Sequence, residues 1–158
     1  MMAELILRWL HVIGATVLLG TGAGIAFFML MAHRTGDAKF IAQTARVVVI
    51  ADYAFTATAV VLQPITGIAL ALMVGWSLGE SWIAVSMALY LVTGAFWLPV
   101  VRMQTRMRDM ARAAADSGTP LPVRYHRLFR IWFLCGIPAF LAVLAILWLM
   151  IARPVFQA

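Results

Sequence analysis

Charge is scarce in this chain. Of 158 residues, 11% are Asp, Glu, Lys or Arg, against roughly a quarter in a soluble domain. Cysteine occurs once, as Cys135 within an apolar run, which excludes an intrachain disulfide and a CxxC metal site. No internal repeat and no low-complexity segment stands out. The first apolar segment is too long for a signal peptide and no small-residue cleavage site follows it, so none is expected. What remains is apolar: 65% of residues are hydrophobic and the mean hydropathy is +0.98. A chain of this size cannot hide so much apolar surface from water in a soluble core, so a bilayer is the expected solvent, and one domain is expected over residues 1–158. The net charge of +6 would raise nucleic acid as a partner in a soluble protein. Here the cations gather in two short segments beside apolar runs, which marks membrane topology, and no nucleic acid is expected.

Four runs are long enough to cross a hydrocarbon core, which takes about 20 residues of helix. They cover about 5–32, 47–76, 82–101 and 131–152. None alternates with period two, so none reads as a strand. Between them lie a polar loop (33–46), a tight turn (77–81) and a longer basic loop (102–130) that contains the helix-breaking stretch Ser117-Gly118-Thr119-Pro120-Leu121-Pro122. The first and third loops carry ten Lys and Arg: Arg34, Lys39, Arg46, Arg102, Arg106, Arg108, Arg112, Arg124, Arg127 and Arg130. Arg8 and Arg153 are the other two. Cytoplasmic loops hold the excess of cations. The expected fold is therefore an all-α, four-transmembrane-helix bundle with both termini outside, in the periplasm, in a multi-pass protein of a bacterial inner membrane. Trp9, Trp76, Trp82 and Trp148 all fall at the outer ends, as an aromatic belt would.

Polar residues at membrane depth are costly and face the bundle interior. At 100° per residue, Asp52, Thr56, Gln63 and Thr66 share one face of the second helix, and Ser86, Tyr90, Thr93 and Trp97 share one face of the third. On the first helix, His11, Ala15, Gly22, Ala26 and Met29 align, with His33 about 33 Å further along. For Ser, Thr and Tyr the simplest account is interhelical hydrogen bonding. His11 is sharper, because an imidazole near the outer face can ligate haem iron, move protons or bond a neighbour. No second His lies at its depth, since His33 and His126 fall at the cytoplasmic ends and read as interfacial residues beside arginines. Asp52, Arg102 and Arg130 sit near the inner boundary, so an ion pair is the default for Asp52, with a proton relay or an anion clamp as the functional alternative. Gln63-Pro64 and Pro138 predict kinks. Gly20, Gly22 and Gly24 favour close helix contact or leave room for a flat cofactor. Met29, Met31, Met103, Met107 and Met110 are thioethers of the type that suits Cu(I), but a Met-lined apolar face explains them more simply. Arg106, Arg108, Arg112, Arg124 and Arg127 suit anionic lipid head groups.

The pattern resembles a bacterial family of integral membrane proteins labelled only as a domain of unknown function. The resemblance is carried by Leu10-His11, Gly20-Thr21-Gly22, Phe27-Phe28-Met29, Ala32-His33-Arg34, Gln63-Pro64-Ile65-Thr66-Gly67, Trp97-Leu98-Pro99-Val100, Tyr125 to Arg130, Trp132-Phe133, Gly136, Pro138-Ala139-Phe140 and Trp148-Leu149-Met150. It covers nearly the whole chain and implies the fold class. Leu10-His11, the glycine-containing span that follows and His33 at its far end are also similar to HemJ-type protoporphyrinogen oxidases and CopD-type membrane domains. That likeness implies haem b bound through His11. The later basic residue of the HemJ type is matched to no position here, so the oxidase activity is not carried over. Three functions stand as expectations: a protein binding haem b or a porphyrin through His11, in electron transfer or oxidation; a non-enzymatic membrane component that packs against a partner, a second copy or anionic lipid; and a small oligomeric permeation or metal-handling protein using Asp52 and Gln63. No residue is assigned a catalytic role.

Overall fold

The computed structural model describes residues 1–154 and contains helices and turns, with no strand among the described residues. α1 spans Met2–Thr35, α2 Ala38–Ala51, α3 Ala57–Val74, α4 Ser81–Ser117 and α5 Val123–Ala152. A π-helical turn, Asp52–Thr56, joins α2 to α3, so Ala38–Val74 is one unbroken rod. Four rods are therefore long and apolar enough to cross a membrane.

Three of the rods stop on a glycine in the left-handed region: Gly36 (φ 67°), Gly75 (φ 85°) and Gly118 (φ 63°). A residue with a Cβ is strained there, and glycine lets the chain leave the helix axis while its N–H meets a carbonyl of the last turn. Asp37 then starts α2 by accepting hydrogen bonds from the backbone N–H groups of Lys39 (2.8 Å) and Phe40 (3.4 Å).

The loops expected at 33–46 and 102–130 are mostly helix. The first shrinks to Gly36-Asp37, and the second to the stretch between Ser117 and Val123. Polarity ended the apolar runs there, but Arg, Met, Gln and Ala are good helix formers and carry the rods onward. The two longest, Ala38–Val74 and Ser81–Ser117, have 37 residues each and are about 55 Å long against a hydrocarbon core of about 30 Å. The rods thus project beyond the bilayer, chiefly at the end opposite Trp76 and Trp82, called here the basic end.

Packing is uneven along the bundle. α4 lies against α5, α2 against α4, and α1 against both α2 and α3, while α3 and α4 keep their backbones apart and meet through side chains. The main core sits toward the basic end, where Met29, Ala32, Ile41, Ala45, Met107, Ala111, Tyr125 and Trp132 interlock. A smaller cluster of Ala71, Trp82 and Ile83 closes the tryptophan end. There Trp76 and Trp82 meet edge to face at 5.8 Å, and the Arg153 guanidinium lies over both rings. Trp82 is thus a packed core residue, whereas Trp9 and Trp148 are exposed.

Candidate functional site

All four polar residues expected on one face of the Ala38–Val74 rod are buried: Asp52, Thr56, Gln63 and Thr66. They face two different neighbours. Thr66 and Gln63 meet α1, and Asp52 meets Trp97 of α4.

The α1 contact centres on His11. Its Nδ1 lies 2.9 Å from Thr66 Oγ1. The Thr66 hydroxyl donates to the Leu62 carbonyl at 2.8 Å, with the Gln63 carbonyl at 3.2 Å. A hydroxyl has one proton. When that proton is directed along its own helix, Thr66 Oγ1 accepts from His11 in the tautomer that carries its hydrogen on Nδ1. In the neutral ring Nε2 then holds a free lone pair. No hydrogen bond to Nε2 forms among the described residues. Gln63 Nε2 donates to the His11 carbonyl at 2.8 Å. Two glycines make this fit possible. A Cβ on Gly67 would come within 3.0 Å of His11 Cε1, and one on Gly14 within 2.8 Å of Gln63 Nε2.

Gly20, Gly22 and Gly24 do not make the close helix contacts expected of them. A Cβ on Gly20 or Gly22 would meet nothing within 4 Å, and one on Gly24 only the Phe28 ring, at 3.9 Å. Close approach instead belongs to Gly14 and Gly67, which stand opposite polar side chains rather than beside other glycines.

Further along the rod, Pro64 has no N–H to give the carbonyl four residues back, that of Val60. The Tyr90 hydroxyl of α4 donates to that carbonyl instead. The proline and the tyrosine are therefore two halves of one contact.

Asp52 is 3% exposed. The ion pair expected with Arg102 or Arg130 does not form; both arginines are exposed, and the ion pairs of the described residues lie elsewhere. Exposed arginines reach water or head groups at lower cost than a shared burial would impose. Asp52 Oδ1 accepts from Trp97 Nε1 at 3.3 Å, while Oδ2 and the buried Thr56 hydroxyl have no hydrogen-bond partner among the described residues.

At the basic end, His33 stacks on Phe129 with ring centroids 3.7 Å apart and lies 5.5 Å from His126 and 5.8 Å from Tyr125. The sequence placed both histidines at this end but had no means of pairing them, because they belong to the first and last rods. Tyr125 is fully buried, and its hydroxyl has no hydrogen-bond partner among the described residues. Of the arginines assigned to lipid, Arg106, Arg112, Arg124 and Arg127 are exposed and Arg108 is half-buried. Arg108 pairs with Asp109 at 2.8 Å and Arg112 with Asp116 at 3.8 Å.

A family profile described as "predicted integral membrane protein (DUF2269)" matches residues 5–154. Neither a curated protein nor a solved structure matches the chain.

Proposed function

The chain belongs to the DUF2269 family of predicted integral membrane proteins, and within it we propose that this protein binds haem b or a related porphyrin through His11, in electron transfer or oxidation. The observation that carries the reading is the Thr66 hydrogen bond at Nδ1, which leaves Nε2 of a neutral imidazole as a lone-pair donor. An axial haem ligand has this arrangement, with its second nitrogen held by a hydrogen bond that sets ring orientation and basicity. The described residues include no cluster of three or more His, Cys, Asp and Glu, so an iron at His11 would bring its other ligands with it, as a porphyrin does. The test is the absorption spectrum of protein purified from haem-replete cells. A Soret band lost in His11→Ala and shifted in Thr66→Val is expected. A colourless wild-type protein that retains its fold overturns the reading.

A second reading rests on Asp52. An ionised carboxylate buried in protein without a cation costs several kcal/mol, so the group is neutral or a cation accompanies it. This supports a proton- or cation-handling role for the π turn. Infrared difference spectra should contain a protonated-carboxyl band that disappears in Asp52→Asn. Its absence from the wild type, together with no cation-dependent change, counts against the role.

A further inference from the structure

At the basic end, apart from the polar seam, α2 and α4 flank a groove of about 560 Å³. Lys39 and Arg46 line it from α2, two helical turns apart, and Arg108 and Arg112 line it from α4, one turn apart. Two carboxylates share the groove, Asp109 and Asp116, and each is taken by an arginine of its own helix. Lys39 and Arg46 have no carboxylate within ion-pair range among the described residues. Four cations against two carboxylates leave a surplus of 4 − 2 = +2 in one concavity.

The position of the groove narrows what that surplus can serve. Arg108 and Arg112 lie 26 and 30 residues along α4 from Trp82 (108 − 82 and 112 − 82). At 1.5 Å per residue they sit about 39 and 45 Å from it, hence about 9 and 15 Å past a hydrocarbon core of about 30 Å. The head-group layer adds about 5–7 Å on each side. Arg46 and Lys39, 30 and 37 residues from Trp76 on their own rod (76 − 46 and 76 − 39), sit about 15 and 25 Å past the core, so the whole groove lies on the solvent side of the head-group layer. Diffuse attraction to a membrane surface needs only exposed arginines such as Arg124 and Arg127. A concavity with paired and unpaired cations on two helices offers more: guanidinium forks and an ammonium lining one space, suited to a polyanionic group.

We propose that the groove between α2 and α4 is a binding site for a phosphate-bearing ligand, with Lys39 and Arg46 as the free cations that receive the phosphate and Arg108 and Arg112 completing its shell. At that height the phosphate belongs to a free phosphate compound entering from solvent, and a lipid head group is the other source, which the second arm of the test distinguishes. The site is separate from His11, and its test does not depend on haem.

The test uses the full chain in nanodiscs of phosphatidylcholine, with radiolabelled inorganic pyrophosphate followed by equilibrium dialysis. Saturable binding near one per chain is expected, weakened at least about tenfold in Lys39→Gln and in Arg46→Gln and unchanged in Arg124→Gln. Both substituted groove residues are exposed, so folding should survive. A second arm adds phosphatidylglycerol to the discs. Loss of pyrophosphate binding there, with phosphatidylglycerol retained on the protein in native mass spectrometry only while Lys39 and Arg46 are intact, assigns the phosphate to lipid. Persistence of pyrophosphate binding assigns it to a free compound. The proposal is overturned if neither probe responds to Lys39→Gln or Arg46→Gln, or if Arg124→Gln weakens binding equally.

Discussion

Replacing Tyr90 with Phe keeps the ring and removes the hydroxyl that reaches the Val60 carbonyl. In the wild-type rod that carbonyl has no helical donor, because residue 64 is proline. Orphaning a buried carbonyl costs about 1–3 kcal/mol, and single hydrogen bonds inside membrane bundles fall toward the low side, about 0.6–1.7 kcal/mol. Tyr90→Phe should therefore destabilise by about 1 kcal/mol. In a Pro64→Ala background the new N–H at residue 64 meets the Val60 carbonyl, and the hydroxyl becomes redundant. There the same substitution should cost only a few tenths of a kcal/mol, giving a coupling of about 0.5–1 kcal/mol between residues 26 positions apart (90 − 64). The four proteins of this cycle can be compared by unfolding in mixed detergent–SDS micelles. Equal cost of Tyr90→Phe in both backgrounds refutes the argument, since it means that the hydroxyl is not the substitute for the missing N–H.

The three glycine environments separate in the same assay. Gly67→Ala and Gly14→Ala each place a Cβ at 3.0 Å or less from His11 or Gln63 and should cost about 1–3 kcal/mol, whereas Gly22→Ala meets open space and should be neutral or stabilising by up to about 1 kcal/mol; a reversed order would mean that α1 packs in another register. Tyr125→Phe removes a buried hydroxyl with no partner among the described residues, so it should leave stability unchanged or raise it by up to about 1 kcal/mol, and a loss larger than that would point to a bound water or ligand on the hydroxyl. Sidedness follows from single cysteines in a Cys135→Ala background. Ser77→Cys should react with an impermeant maleimide in intact cells and Thr119→Cys only after permeabilisation, and the opposite pattern would invert the orientation.

The rods were legible in the sequence because an apolar run of about 20 residues has few alternatives. Their true ends were not, since hydropathy tracks solvent and not helix. Arg102–Ser117 is polar enough to read as loop and is nonetheless helical throughout. The polarity of Asp52, Thr56, Gln63 and Thr66 in an apolar run was enough to predict their burial, but the single face that regular spacing gave them is split in two by the π turn. Their partners were not legible, because nothing local says which rod stands opposite. His11 was identifiable as a residue, but the Thr66 bond that defines its protonation pattern joins residues 55 positions apart. The expected partner of Asp52 was an arginine at similar depth; the observed one is Trp97, already aligned on the inward face of α4. The glycine signal misled in another way: the consecutive small residues Gly20, Gly22 and Gly24 caught the eye, while the tight fits lie at the isolated Gly14 and Gly67.

The π turn at Asp52–Thr56 acts as an indexing device. It lengthens one helical repeat by a residue, a phase step of about 100° against a regular α-helix, and that step lets a single rod address α4 through Asp52 and α1 through Gln63 and Thr66. A one-residue deletion anywhere in the turn would restore a uniform helix and swing the whole of α3 by the same angle, detaching His11 from Thr66 without touching either residue. Conversely, compensation for such a deletion would have to come from a one-residue insertion nearby. The phase of this rod is thus a heritable quantity in its own right, independent of the side chains it presents.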